Sequence, residues 1–560
     1  MAFSFSDEAL GVPTLAIVLL PIGLYMLWNH YRTLLEAKKP FPDLPMPPQS
    51  HWFFGHVKML FDANKFPQNL YTVNRDSANK DGLVGYWFGN KKVIGVLKVE
   101  DARKVFLRES NRETIPVVAR YISFILGEKS LIRLNGREWR IHRDAIARTF
   151  VPSFLLHSQK DVFQVAQDLT QAIIKRIDET ENKVWQVDNI HPLMKMVTMD
   201  VIGKAGFGVD FDCCKNLQSS PVVKAFDLLT EDLTIRMKSP VLPWNLFPNI
   251  FPTKQNKLHL ENCGILRGFV GELLTKAQKE YIANENGEAA STNGNSKHQN
   301  LVERLTAVHE INKAKGHDDA KALDDALSDV MMTLLFASYD TTSTTLTMVL
   351  HSLSIYPDIQ NNCLEEVQSL LKNGSDLSNA DELCYCMGVI KEALRLYPAA
   401  FTVARTLTKP LQLASGYVAQ VGTHMNVPIF VMQRDESIFP KGDEFHPERW
   451  AQRVSSTSSS SANNGQLWEE RAYKVDAEPS KGSIPAGNPD AFFAFSAGGR
   501  SCPGAKFALQ EAVIVLANVL KHLKVLPVPD FKLELRLQGI LPYPKDGVPL
   551  RIEKRQSLDM

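Results

Sequence analysis

Near the C-terminus the run FFAFSAGGRSCPGAKFALQEAVIVLANVL carries a single cysteine, Cys502, two residues after Arg500 and two before Gly504. Gly498 and Gly499 precede it, and an amphipathic helical pattern begins at about Ala505. Glycines let a backbone approach a flat ligand closely and take up tight turns. The amides and positive dipole end of the helix that follows favour a thiolate over a thiol. These residues therefore suit an anionic metal ligand. Taken alone, a glycine-rich loop around a structural cysteine is the competing reading.

Three other groups carry chemical potential. Glu392 and Arg395 stand at i and i+3 of a helical pattern, on one face; by themselves they read as a surface ion pair of little energetic weight. Trp139 and Arg143, in GREWRIHRDAIARTF, are spaced i, i+4 and share a face. They offer an indole N–H and a guanidinium fork suited to carboxylates, although Trp139 alone also suits a core aromatic. The run TLLFASYDTTSTTL sets Asp340, Thr341, Thr342, Ser343, Thr344 and Thr345 between apolar stretches. Buried hydroxyls need partners and threonine is a mediocre helix former. This run predicts a polar groove, with a local bend, in the middle of a long helix. The apolar flanks argue against a solvated face.

The elements that must position these groups are mostly helical. Helical periodicity runs from Glu138 to Phe150, Lys160 to Thr180, Phe226 to Arg236, Ile265 to Ala283, Leu323 to His351 and Asp381 to Leu396. Strand-like runs are few: Leu83 to Trp87, Lys92 to Leu97 and Val548 to Ile552. The expected class is mainly α with small β-sheets. Segments at about 285–300 and 454–488 are rich in Ser, Asn and Gly and predict disordered insertions.

Leu10 to Trp28 is uncharged and long enough to cross a bilayer as one helix. His30, Arg32, Lys38 and Lys39 follow it, which places the large body in the cytosol. A cleaved signal peptide is the rival, but it wants a basic start and a small-residue cleavage site. The expected organisation is an anchor over 1–30, a proline-rich linker over 31–50 and one catalytic body over 51–560. Lys plus Arg total 63 against 62 acids, so nothing suggests nucleic acid as a partner. Seven sparse cysteines argue against a disulfide framework and for a reducing compartment.

Phe495, Gly498, Arg500, Cys502 and Gly504 fill the pattern F-x-x-G-x-R-x-C-x-G, and on them the chain resembles the cytochrome P450 family. The resemblance implies the P450 fold, haem b as cofactor and Cys502 as axial ligand of its iron. It implies that Phe495 packs beside the thiolate, and that Trp139, Arg143, Arg405 and Arg500 hold haem propionates. Glu392, Arg395 and Arg449 match the family's structural triad, Arg449 coming from Phe445-His-Pro447-Glu-Arg449-Trp. Ala337-Ser338-Tyr339-Asp340-Thr341-Thr342 is similar to the family pattern [A/G]-G-x-[D/E]-T-T, except that Ser338 stands where glycine is usual. By resemblance Thr341 hydrogen-bonds bound dioxygen and Asp340 helps deliver protons.

Val330 occupies the place where some fatty-acid hydroxylases carry a haem-linking glutamate, so non-covalent haem is expected. The implied activity is monooxygenation of a lipophilic substrate, such as a fatty acid, sterol, carotenoid or xenobiotic. Its pocket would be bordered by the loop Ile115 to Leu131 and by Ala399 to Ala404. Electrons would come from NADPH–cytochrome P450 reductase, with cytochrome b5 as a second donor; Lys506, Arg140 and Arg143 are candidate docking bases, although all three read more simply as solvated or haem-facing bases. The implied location is the endoplasmic reticulum membrane, or another organelle's. A P450-fold isomerase or dehydratase has less use for Asp340 and Thr341. A non-catalytic haem-binding protein leaves the anchor unexplained.

Overall fold

The structure, a computed structural model, describes residues 41–48, 55–88, 91–112, 116–238, 245–285, 300–314, 320–453, 468–470, 488–538 and 541–555, less a few single positions, and six positions between 21 and 31. After short helices at Val57–Leu60 and Gln68–Val73 come two antiparallel strands, β1 (Leu83–Phe88) and β2 (Lys91–Val96). Helices α1 (Val99–Arg108), α2 (Pro116–Leu126), α3 (Gly136–Ala147) and α4 (Pro152–Asp178) follow. Pro152 starts α4 at its first turn, where the missing N–H costs nothing. After β3 (Val184–Val187) come α5 (His191–Val201), α6 (Pro221–Lys238), α7 (Lys254–Glu285) and α8 (Leu301–Ala314). The longest helix is α9 (Ala320–Ile355), followed by α10 (Pro357–Lys372) and α11 (Cys384–Leu396). Pro398 lies two residues beyond Leu396 and disfavours continued helix at Tyr397.

Strands β4 (Val403–Thr406) and β5 (His424–Val427) return to the first sheet, whose order is β1-β2-β5-β4. β2 and β5 run parallel, with Val93 opposite His424. Helix α12 (Ala505–His522) leads to β6 (Leu523–Pro527), β7 (Leu535–Gln538), β8 (Leu541–Pro544) and β9 (Leu550–Lys554). β9 lies between β6 and β3, while β7 and β8 form a hairpin.

The core is helical. α9 packs most extensively on α5, and α12 on α4. Leu335, Leu346, Val349, Leu350 and Leu353 of α9 are all buried in one apolar cluster, each contributing ~1.5–3 kcal/mol relative to exposure. The sheet β1-β2-β5-β4 carries its own cluster, including Ile94, Val96, Met425 and Val427.

Several expectations change in detail. The loop foreseen from Ile115 to Leu131 contains helix α2 over eleven residues. Tyr121, Ile122, Ile125 and Leu126 form its buried stripe at helical spacing, a period that the apolar composition of the whole segment obscures. The bend foreseen in α9 does not break its helix. Thr341, Ser343, Thr344, Thr345 and Thr347 each donate to a carbonyl three or four residues earlier, at 2.8–3.1 Å. Such back-bonding satisfies the hydroxyls without opening the helix. Most of 285–300 and 454–488 falls outside the described residues, but Trp468–Glu470 pairs antiparallel with Ala451–Arg453.

Among the described residues no helix is long and apolar enough to cross a membrane. Most of the anchor expected over 10–28 and much of the linker over 31–50 lie outside them. The described positions Leu24, Tyr25 and Trp28 are helical and more than half exposed. All seven cysteines are free thiols.

Candidate active site at the cysteine loop

The loop before α12 is shaped by backbone geometry. Gly498 has φ +70, and a Cβ placed there would lie 2.1 Å from the Phe106 carbonyl oxygen of α1. No other residue fits both the left-handed backbone and that approach. The Cys502 amide donates to the Phe495 carbonyl at 2.9 Å, closing the turn. Phe495 packs against the main apolar cluster. Cys502 as a residue is exposed, yet burial of its thiol by surrounding protein raises its pKa; the Gly504 N–H and Arg143 oppose that rise by favouring the thiolate. A Cβ at Gly499 or Gly504 would make only ordinary van der Waals contact, with Trp139 at 3.6 Å and Phe150 at 3.7 Å.

Arginines converge beside this loop. The Arg500 guanidinium sits 4.2 Å from the centroid of the buried Trp139 ring. Its Nε donates to Ser110 O at 2.8 Å, and its Nη2 to Leu134 O and Asn135 Oδ1 at 2.6 Å. Arg405, on β4, donates to Ser496 Oγ at 3.2 Å, but its Nε is buried with no partner. Nη1 of Arg143 is likewise buried and unpartnered. Burial pushes Arg500 down to about 9, and Arg112, Arg405 and Arg143 add repulsion. Arg405 falls to about 10, through burial and then Arg112, with Glu109 opposing. Like charges crowded in this way are costly without an anion among them. Arg112 lies outside every sequence motif, and only the fold brings it to the others.

On α9, Ala337 is exposed while Ser338 and Thr341 are half-buried, although the neighbouring turns are buried. These positions share one face, which borders open space. Thr341 Oγ1 donates to the Ala337 carbonyl at 2.8 Å. Asp340 is fully buried. Its Oδ1 accepts from the Tyr543 hydroxyl and lies 3.5 Å from Lys195 Nζ, while Oδ2 has no partner. Burial raises its pKa, with Lys195 and Tyr543 pulling the other way. Lys195 and Tyr543 carry no sequence signal either, lying 145 residues before and 203 after Asp340.

Glu392, Arg395 and Arg449 meet away from solvent, each side chain fully buried. Glu392 accepts two bonds from Arg395 at 2.9 Å, one from Arg449 at 3.2 Å and one from Trp450 Nε1 at 2.9 Å. Arg395 also ties down the carbonyls of Gln433, Gly442 and Glu444. Removing one member would leave a buried charge uncompensated, at a cost of ~3–5 kcal/mol. The surface-pair reading is thus excluded, and the arrangement is a staple between α11 and two loops.

Residues 45–548 match the family model for cytochrome P450. The chain belongs to the cytochrome P450 family. It is 24% identical to rat cytochrome P450 4A2 over 97% of this chain and 96% of that one. It is 24% identical to human cytochrome P450 4X1 over 99% of both, and 26% identical to dog cytochrome P450 3A12 over 99% of this chain and 98% of that one. P450 membership makes haem b the cofactor and haem-thiolate monooxygenation the general activity.

The residues of this P450 fit that cofactor. Cys502 is exposed, and the unpartnered N–H groups of Arg143 and Arg405 lie in an arginine cluster that a dianionic group would neutralise.

Proposed function

We propose that the protein inserts one oxygen atom from O2 into a lipophilic substrate, using electrons from NADPH delivered by a separate reductase. The observation that carries this is the adjacency of buried Asp340 and half-buried Thr341 on α9, where Ala337, Ser338 and Thr341 open onto space beside a buried core. Haem b, held by Cys502, Arg143, Arg405, Arg500 and Trp139, supplies oxygen activation and one-electron chemistry when bound. The chain's own residues do the rest. The Thr341 hydroxyl donates a hydrogen bond to Ala337 O, which fixes its rotamer and leaves its oxygen free to accept another. Asp340, next in sequence and sheltered from bulk water, holds a proton at its carboxylate and passes it toward that hydroxyl. Val330, buried and without a reactive group, favours haem held non-covalently.

The substrate reading rests on apolar surroundings. The buried stripe of α2 and the segment Ala399, Phe401 and Val403 offer few polar anchors. Fatty acids, sterols, carotenoids and xenobiotics share that chemistry. Exposed Arg140 and Lys506 provide bases for an acidic flavoprotein such as NADPH–cytochrome P450 reductase, with cytochrome b5 as a second donor. The uncharged stretch 10–28, with its basic flank, supports a single-pass endoplasmic reticulum anchor and a cytosolic body. In Thr341→Ala, NADPH and O2 consumption continue while product per NADPH falls about tenfold or more and peroxide rises, within the range for a lost proton-transfer group. An unchanged ratio of product to NADPH would refute the assignment.

A further inference from the structure

Around Asp340 the molecule holds a second polar cluster, whose other members Lys195, Asp227 and Tyr543 no sequence motif marks. Lys195 of α5 is nearly buried, yet its Nζ lies between two carboxylates, 2.6 Å from Asp227 Oδ1 and 3.5 Å from Asp340 Oδ1. Tyr339 donates to the same Asp227 oxygen at 2.8 Å, and Tyr543 of β8 donates to Asp340 Oδ1. The lysine ammonium also sits over both rings, at 5.1 Å and 5.5 Å from their centroids. His191 packs edge-on against Tyr543 at 4.8 Å and bonds Thr347 at 2.9 Å. Four elements therefore meet here: α5 with His191 and Lys195, α6 with Asp227 and Glu231, α9 with Tyr339 and Asp340, and β8 with Tyr543.

The cluster has a wet end and a dry end. Asp227, Glu231, Lys195 and Tyr543 line an open cleft of about 390 Å³, together with His191 and Lys545. The Asp227 side chain is 43% exposed, whereas that of Asp340 is 1% exposed. Asp340 spends Oδ1 on Lys195 and Tyr543 and keeps Oδ2 buried and unpartnered. A buried carboxyl oxygen left without a partner carries a desolvation cost, which protonation of the carboxyl would relieve.

We propose that protons for the reaction enter at this cleft and reach Asp340 through Asp227, Lys195 and Tyr543. Cleft water protonates Asp227; the Lys195 ammonium gives a proton to Asp340 and takes that one in its place, or the Tyr543 hydroxyl gives its proton and regains one from cleft water, so charge and protons balance. Besides relaying protons, Lys195 and Tyr543 set the proton affinity of Asp340 through their contacts with its Oδ1. The inference rests on Asp340 and Thr341 being the acid–alcohol pair.

The test uses full-length holoprotein. Infrared spectra of the resting protein are titrated with pH, and the Asp340 carboxylic-acid band is identified by its loss in Asp340→Asn. An opposite charge within ~4–6 Å holds a carboxyl down by about 1–3 units. Lys195→Met therefore moves the midpoint of that band up by about one unit or more, Tyr543→Phe moves it the same way, and Lys195→Arg restores it. In turnover, Lys195→Met and Asp227→Asn raise the peroxide fraction and the solvent deuterium isotope effect, while Lys195→Arg retains coupling. An unmoved Asp340 band in Lys195→Met, or unaltered coupling in both Lys195→Met and Asp227→Asn, overturns the route. If Asp340→Asn itself leaves coupling intact, the acid–alcohol reading fails instead. Should Lys195→Met not fold, Tyr543→Phe replaces it in the infrared titration and Asp227→Asn in turnover, with the same outcomes supporting or overturning the route.

Discussion

Gly498 shows how a single residue type can be dictated by what lies behind it. Its left-handed φ would cost an L-residue ~1–2 kcal/mol, and its Cβ would collide with the Phe106 carbonyl, an overpacking cost of ~1–3 kcal/mol. Gly498→Ala is expected to lower stability by at least ~2 kcal/mol and to reduce the recovery of haem-loaded protein. Gly504→Ala, whose Cβ has only Phe150 at 3.7 Å, should cost much less in the folded chain. Equal urea midpoints for the two variants would contradict the geometric account. At this scale the sequence is informative where spacing is local: Cys502 with its glycines, Trp139 with Arg143, Glu392 with Arg395. It is silent on Arg112, Lys195 and Tyr543. They reach the site from distant parts of the chain and obey no helical or strand period.

Elements are legible where one face is buried. The pattern Leu323 to His351 identifies α9, and its true ends lie within four residues of those limits. The stripe of α2 is hidden among other apolar residues, so the segment reads as pocket wall instead of helix. The short strands β4 and β5 escape detection because their pairing depends on partners far away in sequence. Caps also come from afar. The first amides of α11, at Tyr385 and Cys386, donate to Glu366 of α10 at 2.7 Å and 2.9 Å. Burial pushes the Glu366 carboxyl up to about 6, with those amides opposing. An unfolded glutamate titrates near 4.5, so the folded state holds the extra proton between the two values. Stability from this group is greatest below about 4.5 and is lost as pH rises through about 6, a change of about 2 kcal/mol. Glu366→Gln should remove that part of the slope. Denaturant midpoints of wild type and variant that run parallel from pH 4.5 to 6.5 would contradict it.

At the scale of the whole molecule, two apolar clusters and one buried ion staple hold the thiol loop and the α9 groove in fixed relation. The mainly helical class with small sheets is readable from periodicity. The arginine cluster beside the loop is only half readable, because its charge crowding exists only after folding. That crowding, with the exposed Cys502 beside it, is what suits the site to a flat dianionic cofactor. The most direct measurement is the carbon monoxide difference spectrum of the reduced full-length protein. A thiolate from Cys502 gives a strongly red-shifted Soret band, which Cys502→Ala abolishes. Protein without haem, a band at the position typical of histidine ligation, or a red-shifted band that persists in Cys502→Ala would contradict the account.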